Sequence, residues 1–335
     1  MGKEPAAPAV VTSADVARLA GVSRATVSFV LNNTQAHRVS DTTRARVLAA
    51  AQQLGYVPHA AARSLRAGRS NLVLMPASVS AAGRLVAAWV DDLESELERH
   101  GYVLVLHAGR FPDPVSAARA WAELRPAAVV ALDGDGLSGQ AVDVLGRAGV
   151  RAVLAFASHE VAGAHTIDLD QGRIGAIAAR HLIAQGRRTL GVVMPAERGL
   201  ATFARPRLAG AEGVAARSTA TVTAVELSFT RESAAEVAAR CRETGLDGLF
   251  AYNDEYAALL LHALRDAGVC VPDEVAVVGC DDLVLSALQQ PPLTSVRLDL
   301  PTPAQVADAL HELVEHGTPP RVPGVDPVLV HRRTS

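Results

Sequence analysis

The chain has 335 residues, of which 49% are hydrophobic and 20% are charged, and its formal net charge is −3. This composition is typical of a globular protein with two or three domains and argues against a disordered chain. No apolar run is long enough for a signal peptide or a membrane span, and the three cysteines are too far apart for a CxxC zinc site. We therefore expect a cytoplasmic protein with no metal and no cofactor.

The charge is distributed unevenly along the chain. Residues 1–70 carry nine Lys and Arg residues against three acidic ones, whereas the remainder carries 23 basic and 32 acidic residues. A basic N-terminal region on an acidic body is the pattern that binding to a phosphate backbone favours. A solvated basic face is the plainer alternative.

Two short helices joined by a tight turn are predicted over residues 12–32. Thr12 or Ser13 can cap the first helix and Ser23 the second, because their hydroxyls can accept hydrogen bonds from free first-turn amides. Gly21 falls where the turn needs a positive φ. Apolar residues recur at helical spacing and predict a small core of Val16, Leu19, Ala20, Val27, Val30 and Leu31. This pattern is typical of a helix-turn-helix DNA reader, whose second helix enters the major groove.

A third helix is predicted from Ser40 or Asp41 to the stop at Gly55, with Val47, Leu48, Ala51 and Leu54 on its apolar face. Residues 59–69 follow and are rich in Ala, with strong helix propensity but almost no apolar face. A helix this short is marginal in water without a partner. The segment is therefore either a helix that folds on a partner or a plain linker between domains.

Alternating strands and helices are predicted from residue 71 onward. The predicted strands cover residues 72–75, 103–106, 128–132, 152–156, 190–194, 248–252, 275–279 and 328–331. The predicted helices cover residues 85–100, 115–124, 141–148, 174–185, 205–216, 233–243, 255–267 and 303–316. Apolar strands separated by amphipathic helices indicate parallel sheets covered on both faces. The number of units favours two doubly wound α/β subdomains with a ligand cleft at the carboxyl ends of the strands.

Several motifs resemble those of the LacI/GalR family of bacterial repressors. They are the head TSADVARLAGVSRATVSFVLN (residues 12–32), the segment YVPHAAARSL (56–65), Asn253-Asp254, VGCDD (278–282) and PPLTSV (291–296). The resemblance implies an all-α helix-turn-helix head on an α/β core like that of periplasmic sugar-binding proteins. It also implies a homodimer that binds a palindromic double-stranded DNA operator under the control of a small effector. A dimer is favoured over a tetramer, because no C-terminal heptad pattern follows the last predicted strand.

The resemblance assigns the DNA contacts. The Ala-rich segment becomes a hinge helix in the minor groove, where Leu65 wedges between base pairs and kinks the duplex. Arg24 and Ala25 open the recognition helix and face base edges, although a phosphate contact alone is the alternative for Arg24. Phe29 either contacts a thymine methyl or packs on the third helix. The predicted DNA-binding residues are Thr12, Ser23, Arg24, Ala25, Thr26, Ser28, Phe29, Asn32, His59, Ala62 and Leu65, with helix capping as the alternative for Thr12 and Ser23.

The resemblance also implies that Arg207, Asn253 and Asp281 bind effector hydroxyls. Loop capping is the alternative for Asp281 and Asp254, and core packing is the alternative for the two further ligand-binding candidates, Phe156 and Phe229. Residues 76–86 depart from the family because they are small and nearly free of aromatics. The expected effector is a sugar or a polyol-like metabolite, but this departure leaves room for a different ligand or for no effector response.

The predicted domains are a DNA-binding head (1–58), a hinge helix (59–69) and an effector-binding and dimerisation core (70–335). Within the core, one subdomain is expected to take residues of about 70–161 and 294–322, and the other those of about 162–293 and 323–335. Two other classes of function compete with a ligand-gated regulator. A small-molecule (solute) binding protein without effector-gated DNA release would need no basic helical head. An enzyme is not expected, because no phosphate loop, nucleophile elbow or catalytic cluster is present in the sequence.

Overall fold

Three helices form the N-terminal part of the structure: α1 (Ser13–Ala20), α2 (Arg24–Leu31) and α3 (Asp41–Leu54). The structure is a computed structural model, and it describes residues 11–31, 39–57, 70–76, 83–197 and 199–335. Contacts divide the chain into two compact units, residues 1–70 and 71–335. We describe each unit separately.

The helix ends of the head follow from local hydrogen bonds. Thr12 and Asp15 pair at the start of α1, where the amide and the hydroxyl of Thr12 donate to Asp15 Oδ2 at 2.9 and 2.7 Å. Gly21 ends α1 with a φ of 64°, which other residues adopt at a cost. Ser23 Oγ accepts from the Thr26 amide at 3.1 Å, and Ser40 caps α3. The predicted turn and caps are therefore present.

The core of the head differs from the prediction at two positions. Val16, Val27 and Val47 are fully buried at the centre of the three helices. The prediction that Leu19 and Leu48 belong to the core is wrong, because their side chains are 46% and 48% exposed. The three short helices close on their small residues instead, and Ala17 and Ala50 take the inward positions.

The second unit begins with a five-stranded parallel sheet in the order β2-β1-β3-β4-β5. Its strands are β1 (Leu72–Met75), β2 (Val103–Leu106), β3 (Ala128–Ala131), β4 (Ala152–Ala157) and β5 (His165–Asp168). The helices between them are α4 (Arg84–Arg99), α5 (Pro114–Glu123) and α6 (Gly139–Arg147). We call this sheet with its helices the first lobe.

The second lobe contains a six-stranded sheet in the order β11-β10-β9-β8-β6-β7, parallel except for β11. Its strands are β6 (Thr189–Pro195), β7 (Thr221–Leu227), β8 (Gly248–Phe250), β9 (Ala276–Cys280), β10 (Thr294–Leu298) and β11 (Pro327–Val330). The helices are α7 (Gln171–Ala184), α8 (Ala201–Ala215), α9 (Arg231–Thr244), α10 (Asp254–Asp266) and α11 (Val284–Leu288). The last helix, α12 (Pro303–His316), packs against α4 of the first lobe.

The predicted bounds of the two subdomains are wrong in two places. The first sheet extends to β5, which pairs with β4 and lies beyond the predicted end at about residue 161. Residues 294–298, which we expected in the first subdomain, form β10 and pair with β9 and β11 of the second sheet. Only the segment that carries α12 returns to the first lobe. The predicted class, an all-α helix-turn-helix head with two parallel-sheet α/β subdomains, is confirmed.

One hydrophobic core runs through both lobes, from Val73 and Leu154 in the first to Ile174 and Val278 in the second. Separate clusters cover the outer face of each sheet. In the part of the chain that the structure describes, no helix has both the length and the apolarity that a membrane crossing needs. The same residues contain no group of three or more His, Cys, Asp or Glu side chains arranged to hold a metal ion.

Candidate ligand cleft and DNA-binding helix

A cavity of about 660 Å³ lies between the two lobes. Residues that follow the carboxyl ends of parallel strands line it from both sides, such as Leu132 after β3 and Asp281 after β9. This edge is where ligands bind in open α/β sheets. The volume is within the range of about 300–1,000 Å³ that small-molecule sites occupy.

Two charged residues of the cavity lining, Arg207 and Asp281, form what we call the floor of the cavity. Arg207 carries its positive charge. It lies on α8 and is only 5% exposed. Its Nε donates to Gln171 Oε1 at 2.8 Å and its Nη1 donates to the carbonyl oxygen of Tyr252 at 2.5 Å, while its guanidinium lies 4.9 Å from the centre of the Tyr252 ring. The guanidinium is therefore fixed in direction, and its Nη2 has no protein acceptor among the described residues.

Close packing of α7 and α8 brings Arg207 to this position. A Cβ built on Gly175 would lie 1.8 Å from the Arg207 carbonyl oxygen, and one built on Gly210 would lie 1.9 Å from the Gly172 carbonyl oxygen. Both contacts are with backbone atoms, which cannot rotate away. Glycine is therefore required at these points for the two helices to approach so closely.

Asp281 supplies the negative charge of the floor. It directly follows β9, lines the cavity and has a φ of 98°, a conformation that non-glycine residues adopt at a cost. Its enclosed position raises the pKa of its carboxyl, while Arg207 and the neighbouring Cys280 act in the opposite direction. A strained backbone at a cavity floor is typical of a functional position.

A second carboxylate holds the turn that presents Asp281. Asp254 is fully buried and accepts hydrogen bonds from the Leu283 amide at 2.7 Å and from the hydroxyls of Ser286 and Ser295, each at 2.6 Å. Burial raises the pKa of Asp254 to about 6. These bonds agree with the loop-capping alternative for Asp254, which stabilises the turn and does not line the cavity.

Asn253 has both a structural and a cavity-facing position. Its side-chain oxygen accepts from the Tyr256 amide at 3.1 Å and so caps α10, and its Nδ2 donates to Glu255 Oε2 at 3.3 Å. The same Glu255 oxygen accepts from the Arg84 amide of the first lobe at 3.2 Å. The start of α10 therefore connects the two lobes at the edge of the cleft.

The structure brings together four of the five predicted ligand residues: Arg207, Asn253, Asp281 and Phe156 all line the cavity. Phe229 does not line it. Its side chain is 51% exposed, and its ring packs 5.0 Å from the ring of Tyr256. The structure thus gives no support to a ligand contact by Phe229, and we leave it out of the proposed site.

Sequence reasoning missed Trp89, Gln171 and Tyr252 in the lining. Trp89 faces inward from the amphipathic helix α4, and its Nε1 donates to the Pro301 carbonyl oxygen at 2.8 Å. Because Pro301 is 212 positions away along the chain, no local pattern could place Trp89 at the cleft. Tyr252 directly precedes the motif Asn253-Asp254, and this position in the sequence could have predicted it as a lining residue.

The recognition helix α2 exposes its N-terminal residues. Arg24 and Ala25 are exposed, whereas Thr26, Ser28 and Phe29 are partly buried. The hydrogen bonds of Thr12 and Ser23 agree with the helix-capping alternative and leave their predicted DNA contacts untested. Four predicted DNA-binding residues lie outside the described residues: Asn32, His59, Ala62 and Leu65.

Comparison with known proteins agrees with this architecture. Residues 12–59 match the bacterial regulatory proteins of the lacI family, and residues 179–335 match the periplasmic binding protein-like domain. The HTH-type transcriptional repressor PurR of Photobacterium profundum is 30% identical over 296 residues, which cover 85% of this chain and 86% of that protein.

Two solved structures are similar over nearly the whole chain. A LacI-family transcriptional regulator from Silicibacter pomeroyi has a TM-score of 0.79 at 25% identity and covers 97% of this chain and 99% of its own. The lac repressor dimer, bound to operator and the anti-inducer ONPF, has a TM-score of 0.72 at 23% identity over 97% of this chain and 98% of its own, and shows likeness in fold alone.

The head and the two-lobed core together define a helix-turn-helix transcriptional regulator with a ligand-binding domain. The chain belongs to the LacI family of bacterial regulatory proteins. Members of this family are transcriptional regulators and not enzymes. The resemblance stated from the sequence motifs is therefore confirmed, together with the general role as a repressor.

Proposed function

We propose that this protein acts in the cytoplasm as a dimeric repressor, binds a palindromic operator and is controlled by a small ligand in the cleft between its lobes. The observation that carries the proposal is the pairing of an exposed recognition helix with a cavity whose floor holds the buried Arg207 and the partly exposed Asp281. Buried charges without a close ionic partner are costly, and a ligand that completes their hydrogen bonds offsets that cost.

The division of labour follows the predicted domains, with a head over residues 1–58, a hinge helix over 59–69 and a core over 70–335. In this proposal Arg24 and Ala25 meet base edges in the major groove, and a bidentate contact from Arg24 to guanine would contribute about 1–3 kcal/mol of discrimination. The polar residues of the head anchor phosphates, and His59, Ala62 and Leu65 act in the minor groove, where Leu65 wedges between base pairs.

Exposed apolar residues on the core support a homodimer. Val284 and Leu288 on α11 are 82% and 73% exposed, and the edge strand β2 exposes Val103 and Leu106. An exposed strand edge and large exposed aliphatic side chains are features that a second subunit would cover. A dimer also matches a palindromic operator, since the symmetry of the protein and that of the site coincide.

Ligand gating requires that the ligand bind the released state more tightly than the DNA-bound state. The bond from the Arg84 amide to Glu255 crosses the mouth of the cleft and would change when the lobes move relative to each other. In the proposed cycle, ligand binding rotates the lobes, separates the two hinge helices and releases the operator.

Selection of bound sequences from random duplex DNA tests the proposal, with the full chain as bait. We expect an enriched palindrome with a fixed central step that two hinge helices can enter. No enrichment at low salt would contradict the operator-binding proposal. The alternative, a small-molecule (solute) binding protein without effector-gated DNA release, would then take its place.

A further inference from the structure

The walls of the cleft are far more apolar than its floor. Large apolar residues from both lobes line the cavity, among them Trp89, Leu132, Phe156, Phe203, Leu298 and Leu300. The one polar atom of the Trp89 side chain already donates to the Pro301 carbonyl oxygen, and the Trp89 and Phe156 rings meet edge to face at 5.7 Å. A ligand surface that touches these walls can gain apolar contacts but few hydrogen bonds.

Among the described residues of the lining, the other polar side chains contact protein atoms or lie at the rim, apart from the hydroxyl of Tyr252, whose ring lies beside Arg207. Asp133 interacts with the hydroxyl of Thr202, and His107 Nδ1 accepts from the Gly109 amide at 3.2 Å. Arg110 is exposed at the mouth. The groups directed at a ligand are therefore concentrated on the floor, around Arg207 and Asp281.

The floor presents a donor beside an acceptor. The Arg207 guanidinium has only donors, and two of them are taken by Gln171 and the Tyr252 carbonyl oxygen. The Asp281 carboxylate accepts, and it forms no direct ion pair with Arg207 among the described residues. Two adjacent hydroxyls fit this pair, because one can accept from the guanidinium while the other donates to the carboxylate. A ligand carboxylate fits less well, since Asp281 and Glu255 would repel it.

A free sugar satisfies the floor but not the walls. Hydroxyls surround its ring, and those that face Leu132 or Leu300 would be buried without a partner, at a cost of about 1–3 kcal/mol each. The cavity of about 660 Å³ also leaves room for a second ring beside the one that meets the floor.

We propose that the cleft takes a ligand with a vicinal diol at one edge and an aromatic, apolar body, so that the diol meets Arg207 and Asp281 and the body lies against Trp89 and Phe203. The proposal rests on the proposed function in one respect, that the cleft is the effector site. Two kinds of compound share this chemistry, ortho-diphenols and aryl glycosides, and binding measurements can distinguish them.

The test is calorimetric titration of the full chain with four probes: 4-phenylcatechol, 4-phenylphenol, phenyl β-D-glucopyranoside and D-glucose. We expect one of the two diol-bearing aromatic probes to bind at least about tenfold more tightly than D-glucose and 4-phenylphenol. D-glucose has no aromatic group to contact the walls, and 4-phenylphenol has only one hydroxyl for the two charged residues of the floor. Preference for 4-phenylcatechol would identify the ortho-diphenol class, and preference for the phenyl glucoside would identify the aryl glycosides.

Two variants locate the binding. Phe203→Asn, at a partly exposed wall position, should weaken binding of the aromatic probe at least about tenfold, since one aromatic contact surface is lost. The affinity for D-glucose should not change. Phe229→Ala is the matched control, because that aromatic side chain is half-exposed and lies outside the lining, and it should change neither affinity.

The proposal is overturned if D-glucose binds as tightly as the aromatic diols, or if no probe binds. Tight binding of D-glucose that Asp281→Asn abolishes would refute the ligand class and keep the cleft as the effector site. If the aromatic probe binds Phe203→Asn and Asp281→Asn as tightly as it binds the wild type, the cleft is not its binding site. The operator-selection experiment needs no ligand, so DNA binding is judged independently of either result.

Discussion

The buried carboxylate Asp254 makes the stability of the core depend on pH in a way that one substitution can isolate. Burial raises the pKa of Asp254 from its ordinary value of 3.8 to about 6 in the folded chain. Because the folded-state pKa is the higher one, the stabilising contribution of this carboxyl is fully present below pH 3.8 and is lost as the pH rises through 6. Asparagine has nearly the same shape and cannot titrate.

The expected magnitude follows from the two pKa values. Protonation of Asp254 adds about 1.4 kcal/mol to the free energy of unfolding at pH 5 and about 2.4 kcal/mol at pH 4, relative to pH 8. The difference in stability between the wild type and Asp254→Asn should therefore shift in favour of the wild type by these amounts as the pH falls. The comparison between variants cancels the contributions of titrating groups that do not interact with Asp254, whereas Asp281 interacts with it and does not cancel completely.

Urea denaturation followed by tryptophan fluorescence provides the assay. Both tryptophans, Trp89 and Trp121, lie in the core unit, so the signal reports unfolding of the core and not of the head. Asp143→Asn, at an exposed position on α6, controls for the loss of one surface charge. A difference between wild type and Asp254→Asn that stays constant within about 0.5 kcal/mol from pH 8 to pH 5 would refute the account of a buried, titrating carboxylate.

Four further predictions address packing and function. Gly210→Ala should destabilise the core by about 1–3 kcal/mol or more in the same denaturation assay, since its Cβ would meet the Gly172 carbonyl oxygen. The control Gly213→Ala lies on the same helix, where the added Cβ meets nothing within 4 Å, and it should be neutral or slightly stabilising. Equal effects of the two substitutions would contradict the close contact between the helices. Arg24→Ala should relax base preference at one position of each half-site, and an unchanged selection profile would exclude direct base contact. Leu65→Ala should reduce operator bending in a gel-phasing assay, and an equally bent complex would exclude the wedge. Asp281→Ala should bind the operator normally but lose the ligand response, and a fully responsive variant would show that Asp281 is not part of the ligand site.

The sequence predicts most elements of this protein because their signals are local. Gly21, Ser23 and Ser40 determine helix ends through backbone conformation and hydrogen bonds within a few residues. The strands that were missed, β5, β7 and β10, have weaker local signals. In β7, Thr221, Thr223 and Glu226 are exposed on an edge strand, so no continuous apolar run marks it.

Other features depend on contacts between distant parts of the chain. The strand β10 contains the polar residues Thr294 and Ser295, which are fully buried because partners elsewhere satisfy them: Ser295 donates to Asp254, and Thr294 accepts from the Arg332 amide. Composition alone suggests an exposed segment there. The apolar walls of the cleft could not be predicted either, because Trp89 and Phe203 come from different lobes and only folding brings them to the same cavity.

The measurement that tests the central claim most directly is the ratio of affinities for the selected operator and for a scrambled duplex of the same length, taken with the full chain at about 0.15 M salt. A dimer that reads base edges with both heads should favour the operator at least about a thousandfold, because specific DNA-binding proteins discriminate by about 10³–10⁷. A ratio near one would mean that the basic head binds phosphates alone, and it would contradict the account of a sequence-specific repressor.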